Sequence, residues 1–219
     1  MSAPVTLVFV HGWGFDAGFW DAVRSALPEV ETLTVDLGFC GRAGGLDDLK
    51  AVPDGACVAV GHSLGFLWLL RRKPVAWRKL VAINGFSRFT AADDFPCGLE
   101  PRMVRRMMDK VQASPEAVVS DFFQACAHTD QPGSLDPDAL YRGLEWLMDG
   151  DGRAVLERAG TPLLVLAGND DPIVPRALTE ASFAGRPATE IHWRDGGHLL
   201  PVTAPVWCAE RLREFARVS

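Results

Sequence analysis

The sequence predicts an α/β protein in which a mainly parallel sheet of about six strands carries helices on both faces. Three observations predict it. Six short apolar runs, VTLVFV (5–10), TLTVDL (32–37), CVAVG (57–61), KLVAIN (79–84), PLLVLAG (162–168) and EIHWRD (190–195), are β-branched and mostly lack polar alternation, as strands covered on both faces do. Helical stretches lie between them, and strand alternating with helix is the α/β pattern. The 219 residues, 48% hydrophobic and 23% charged, suffice to bury one sizeable core with room for a subdomain.

The elements follow in order. The first strand runs into the loop HGWGFD, and DAGFWDAVRSAL then gathers Trp20, Val23 and Leu27 on one helical face. The third strand stops on Gly61-His62-Ser63-Leu64-Gly65, and SLGFLWLLRR continues as a helix. Alternation breaks between Phe86 and Glu157, where three helices are signalled by a proline or cap residue: Pro101 before RMVRRMMDKV, Ser114-Pro115 before EAVVSDFFQACA, and Asp136-Pro137 before DALYRGLEWLM. Residues 87–157 therefore read as a helical lid inserted over the carboxyl edge of a core formed by 1–86 and 158–219. The final helix, VWCAERLREFARV, places Val206, Leu212, Phe215 and Val218 in one stripe.

Composition excludes several functions. A net charge of -6 disfavours nonspecific binding to nucleic acid. The start lacks a basic n-region, and no apolar span approaches the roughly 20 residues of a membrane helix, so a soluble cytoplasmic protein is expected. Cysteines 40, 57, 97, 126 and 208 form no CxxC and no zinc-type cluster. They read as reduced thiols, with no metal and no cofactor implied.

The chemistry begins at Ser63. G-x-S-x-G between a buried strand and a helix is a nucleophile elbow, whose glycines permit a turn that presents the serine. A serine hydroxyl needs a base. His198, in DGGHLLP just past the last strand, lies at a strand's carboxyl end, where such sheets place their sites. His192 within a strand reads as structural, His62 as directed away from the turn, His128 as a surface or lid residue, and His11 as a loop brace. The base needs a carboxylate to orient it. Asp170 and Asp171 in LAGNDDPIVP both fit the chain order Ser, Asp, His. Asp171 is favoured because Pro172 biases it toward extended backbone, while Asp36 reads as ordering its own loop. Backbone N–H groups of Trp13, in the glycine-flanked HGWG loop, and of Leu64 would form an oxyanion hole.

The segments LVFVHGWGFDAGFW, VGHSLG, LAGNDDPIVP and GGHLLP together resemble the α/β-hydrolase superfamily, which implies the α/β-hydrolase fold. HGWG, INGFSRFTAADDFPCGLEPRMV and YRGLEWLMDGDGRAVL resemble its BioH type, the pimeloyl-acyl-carrier-protein methyl ester carboxylesterases of biotin synthesis. That resemblance implies Ser63 as nucleophile, Asp171 as acid, His198 as base, and Trp13 and Leu64 as oxyanion donors. It also implies a start at the third of the usual eight strands, hence six. The chain departs from the type at Phe66, where a glycine is usual, at DLGFCGRAGG, and at His62 in place of an aromatic residue.

The expected activity is a serine carboxylesterase acting on a small or carrier-bound ester. A thioesterase would use the same parts, and a noncatalytic, receptor-like hydrolase fold is the alternative from another class. The helix PRMVRRMMDKV collects Arg102, Arg105, Arg106 and Lys110. These read either as a solvated face or as a docking patch for an acidic partner, for which the resemblance suggests an acyl carrier protein. Met103, Met107 and Val111, at i, i+4 and i+8, would bury toward the pocket.

Overall fold

A computed structural model describes residues 5–41, 57–72, 77–131 and 133–217. Six strands, β1 (Thr6–Val10), β2 (Glu31–Val35), β3 (Cys57–His62), β4 (Lys79–Ile83), β5 (Leu163–Gly168) and β6 (Thr189–Arg194), form one sheet in the order β2-β1-β3-β4-β5-β6. Every pairing is parallel, so all six carboxyl ends lie along one edge.

Side chains alternate between two apolar layers, as the pleat requires. Leu7, Phe9, Val58, Val60, Val81, Ile83, Leu164 and Leu166 enter one core, and Val8, Val10, Ala59, Leu80, Ala82 and Val165 the other. Helices α1 (Asp21–Ser25) and α9 (Pro205–Arg217) contribute Val23, Leu212 and Phe215 to the first core. Helices α2 (Leu64–Arg72), α6 (Arg153–Arg158) and α7 (Arg176–Phe183) contribute Phe66, Leu69, Leu156 and Phe183 to the second. The central four strands are buried nearly throughout, but β2 and β6 are partly exposed because each has a partner on one side only.

Between β4 and β5 stand α3 (Pro101–Val111), α4 (Pro115–Ala125) and α5 (Pro137–Asp149), followed by α6. Each of the first three carries proline in its first turn, and Asp136 caps α5 by accepting from Ala139 N at 2.9 Å. A short α8 (Leu200–Thr203) precedes α9.

Two expected helix faces are corrected. In α3 the fully buried residues are Val104 and Val111, flanked by partly buried Met107 and Met108, whereas Met103 is 51% exposed. Seven residues nearly complete two turns at 3.6 per turn, so the pair 104/111 keeps a constant face while the 103/107/111 series drifts. In α9 the buried face is Cys208, Ala209, Leu212, Phe215 and Ala216, and Val206 is 61% exposed. Six residues at that pitch set Val206 about 120° from Leu212. Val218 lies outside the described residues. Among the described residues no helix is long and apolar enough to cross a membrane.

Candidate active site

Ser63 follows β3 directly and adopts φ 51°, a left-handed conformation rare for a residue with a side chain. The surrounding structure enforces it. Ser63 N donates to Ile83 O of the neighbouring strand at 3.1 Å, and Ser63 O accepts from Phe66 N in the first turn of α2 at 3.1 Å. A Cβ on Gly65 would fall inside contact distance of the Val10 and His11 carbonyls, so only glycine lets α2 start this close to β1. This tight turn ends β3 and points Ser63 along the sheet's carboxyl edge.

His198 reaches the same place from the loop after β6. Its Nε2 lies 3.1 Å from Ser63 Oγ, and its Nδ1 lies 2.9 Å from Asp171 Oδ2 and 3.1 Å from Oδ1. Because the carboxylate accepts at Nδ1–H, Nε2 carries the lone pair that receives the serine hydroxyl. Asp171, in the turn after β5, also accepts at Oδ1 from Ile173 N and Val174 N, both at 2.8 Å. All three side chains are buried: His198 is 0%, Ser63 5% and Asp171 7% exposed.

The loop after β1 abuts the serine, since a Cβ on Gly12 would sit 3.2 Å from Ser63 Cβ. Trp13, the next residue, is anchored by its indole N–H, which donates to Leu140 O of α5 at 2.9 Å. Leu64 opens α2, so its backbone N–H is among the first-turn donors that find no acceptor within the helix. Phe122 of α4 covers this corner, its ring 6.2 Å from that of His198 and 5.3 Å from that of Trp13. Phe15 and Phe123, which stack at 4.9 Å, also line a cavity of about 400 Å³ whose wall includes Asp16, Phe19, Asp21, Asp130 and Val202 but not Ser63, Asp171 or His198.

The other histidines stand apart from Ser63 Oγ. His62 is fully buried and its Nε2 donates to His198 O at 2.9 Å. Burial, reinforced by the neighbouring His198, holds its pKa well below the usual imidazole value, so it is neutral. His11 Nε2 accepts from Leu37 N at 2.9 Å and Nδ1 donates to Gly12 O at 2.9 Å, bracing two loops. His128 packs on Phe123 and lies 3.6 Å from Asp130, and His192 lies 3.6 Å from Glu190 on the edge strand. Asp36 accepts from Ala17 N and Gly38 N and orders its loop. Arg102, Arg105, Arg106 and Lys110 are exposed on α3.

Asn84 is a site residue that the sequence reading missed. It directly follows β4 and donates from Nδ2 to Asp171 Oδ2 at 2.8 Å and to Gly197 O at 3.2 Å. The signal was the Asn-Gly pair closing a strand, because asparagine tolerates the left-handed backbone found there. Among the described residues no group of three or more His, Cys, Asp or Glu side chains could hold a metal ion. Burial pushes the thiols of Cys126 and Cys208 up to about 12.

Comparison with known proteins agrees with this architecture. The chain is 31% identical over 242 residues to the biotin biosynthesis bifunctional protein BioHC of Cellvibrio japonicus, covering 98% of the chain but 48% of that protein. It therefore spans about half of that relative's length. It is 29% identical to a pimeloyl-[acyl-carrier protein] methyl ester esterase of Aromatoleum aromaticum, covering 96% and 98% of the two chains. The solved structure of the esterase EaEST from Exiguobacterium antarcticum superposes with a TM-score of 0.82 at 16% identity, over 100% of this chain and 94% of that one, and so shares the fold. The sequence model of the alpha/beta hydrolase family matches residues 7–211, and the chain belongs to that family.

Proposed function

We propose that the protein is a serine carboxylesterase in which Ser63 is the nucleophile, His198 the base and Asp171 the carboxylate that orients it. The observation that carries this reading is the hydrogen-bonded line Ser63 Oγ, His198 Nε2, His198 Nδ1, Asp171 Oδ2, with separations of 3.1 and 2.9 Å. Ser63 Oγ attacks the ester carbonyl as its proton passes to His198 Nε2, and Asp171 stabilises the imidazolium. The N–H groups of Trp13 and Leu64 take the oxyanion, where one such donor is worth roughly 10²–10³ in rate. His198 then protonates the departing alcohol. Water, deprotonated by His198, attacks the acyl-enzyme and releases the acid and Ser63.

The names of the relatives support a finer reading, a pimeloyl-acyl-carrier-protein methyl ester losing methanol. In this reading residues 87–157 form the lid that selects the substrate. The basic side chains of α3 dock the acidic carrier. A thioester would engage the same residues, and comparing kcat/KM for an oxygen ester and its matching thioester separates the two.

The test is hydrolysis of a nitrophenyl ester with rapid mixing. The wild type should release a burst of nitrophenol, and Ser63→Ala should lose at least about 10³-fold in kcat while keeping its melting temperature. Turnover by the alanine variant near the wild-type rate would overturn the assignment.

A further inference from the structure

Asn84 holds together two segments that the chain keeps far apart. Its residue type answers two demands. Its φ of 48° suits glycine or asparagine, and of these only asparagine also offers two side-chain N–H donors. Its backbone N–H donates to Leu166 O of β5 at 2.8 Å, tying it to the strand that leads into Asp171. One amide hydrogen then meets Asp171 Oδ2 and the other meets the carbonyl of Gly197, the residue before His198.

The amide's orientation is fixed by its surroundings. Among the described residues Oδ1 of Asn84 is buried without a hydrogen-bond donor, so no donor holds that end. Reversing the amide would set Oδ1 against the Asp171 carboxylate, acceptor facing acceptor at the 2.8 Å contact. Among the described residues the remaining donors to Asp171 outside His198 are Ile173 N and Val174 N, which belong to the acid's own turn. They fix the carboxylate to β5 but leave its relation to the histidine loop open.

We infer that Asn84 is a positioning residue of the proposed esterase: its amide sets the meeting of Asp171 Oδ2 with His198 Nδ1 and draws off part of that oxygen's charge. The inference rests on the reading of Ser63, His198 and Asp171 given above. Without the amide donor, more negative charge on Oδ2 faces the imidazole. The imidazolium is then stabilised, and a lower proton concentration suffices to block the base.

The other groups around this contact stay the same when Asn84 is changed. Ser63 faces Nε2, and the neutral His62 ring lies 4.9 Å from that of His198. The Cys126 thiol, close enough to Asp171 to feel its charge, stays protonated because burial pushes it up to about 12.

The test compares Asn84→Gly, which keeps the left-handed backbone without the amide, with Asn84→Asp, which keeps the volume but replaces the donor with a carboxylate. Both are assayed on a nitrophenyl ester from acid to alkaline pH, with Ser63→Ala as the control and melting temperatures recorded. Each variant should lose about 10- to 100-fold in kcat, the worth of a hydrogen bond to a charged group, with KM within about twofold. The acid limb of kcat/KM should move to higher pH in both, and further in Asn84→Asp. An unmoved acid limb in both variants overturns the inference, whether activity is kept or falls only with melting temperature. Should the glycine variant fail to fold, the near-isosteric aspartate variant decides. Activity in Ser63→Ala would instead overturn the esterase reading itself.

Discussion

Asp170 and Asp171 are adjacent in sequence and opposite in environment. Asp171 is 7% exposed and its carboxylate accepts from Ile173 N, Val174 N, Asn84 Nδ2 and His198 Nδ1. Asp170 is exposed, and its backbone N–H donates to Gly196 O at 3.1 Å. One residue supplies a carboxylate to the histidine, and the other supplies a peptide to the histidine's loop.

Asparagine substitution should therefore separate them. Asp171→Asn keeps the shape but presents an amide to Nδ1 and permits the wrong imidazole tautomer, for which a loss of about 10⁴ in kcat is the precedent. Asp170→Asn leaves the backbone bond intact and should retain kcat within about threefold, since surface changes of this kind cost little. Steady-state kinetics on one ester decide it, and a reversal of the two effects would mean that the acid is Asp170.

The basic face of α3 gives a second prediction. Its buried side, Val104 and Val111, holds the helix in place, and Arg102, Arg105 and Arg106 are exposed, with Arg102 4.0 Å from Glu100. Replacing all three arginines with glutamate should lower kcat/KM for a carrier-bound ester by about tenfold or more at low salt, with the difference shrinking at high salt. A small free ester should be hydrolysed unchanged. Equal losses on both substrates, or none on either, would remove the docking reading.

Acid stability should depend on Asp151. Hydrogen bonds from the Arg153 side chain, aided by its backbone N–H and by Arg88, hold this carboxylate well below the usual range against the opposing effect of burial. A folded-state pKa lowered in this way adds stability that is fully present above the unfolded value near 3.9 and is lost as pH falls below about 4. Asp151→Asn should lower the melting temperature by about 2–4 °C at pH 7, and the gap should narrow between about pH 4 and pH 2. A gap that is constant with pH would show that the ionised carboxylate is not what stabilises the fold.

Much of this was legible in the sequence, for identifiable reasons. β3 and β5 are continuous apolar runs, and the glycine-flanked Ser63 and the Gly-Gly before His198 interrupt the pattern where the chain must turn sharply. Local signals of that kind survive without knowledge of the fold. The Asn84-Gly85 pair marked a turn but not a site residue, because the role proposed for Asn84 arises only when β4 comes to lie beside β5 and its amide meets Asp171 and Gly197. The exposed Met103 and Val206 show a related limit. Apolar residues mark a helix face when their spacing matches the pitch, and those two sit one step off the buried seam.

The strand order also sets when the site can exist during synthesis. A ribosome finishes Ser63 135 residues before His198, and β6, which brings the histidine loop, joins at the outer edge of the sheet. A nascent or truncated chain that ends after β4 but short of β6 contains both partners of the Ser63 N to Ile83 O bond, yet it lacks His198, the proposed base. On the proposed mechanism hydrolysis is withheld from chains that lack His198, and turnover during refolding begins only once the loop after β6 has docked.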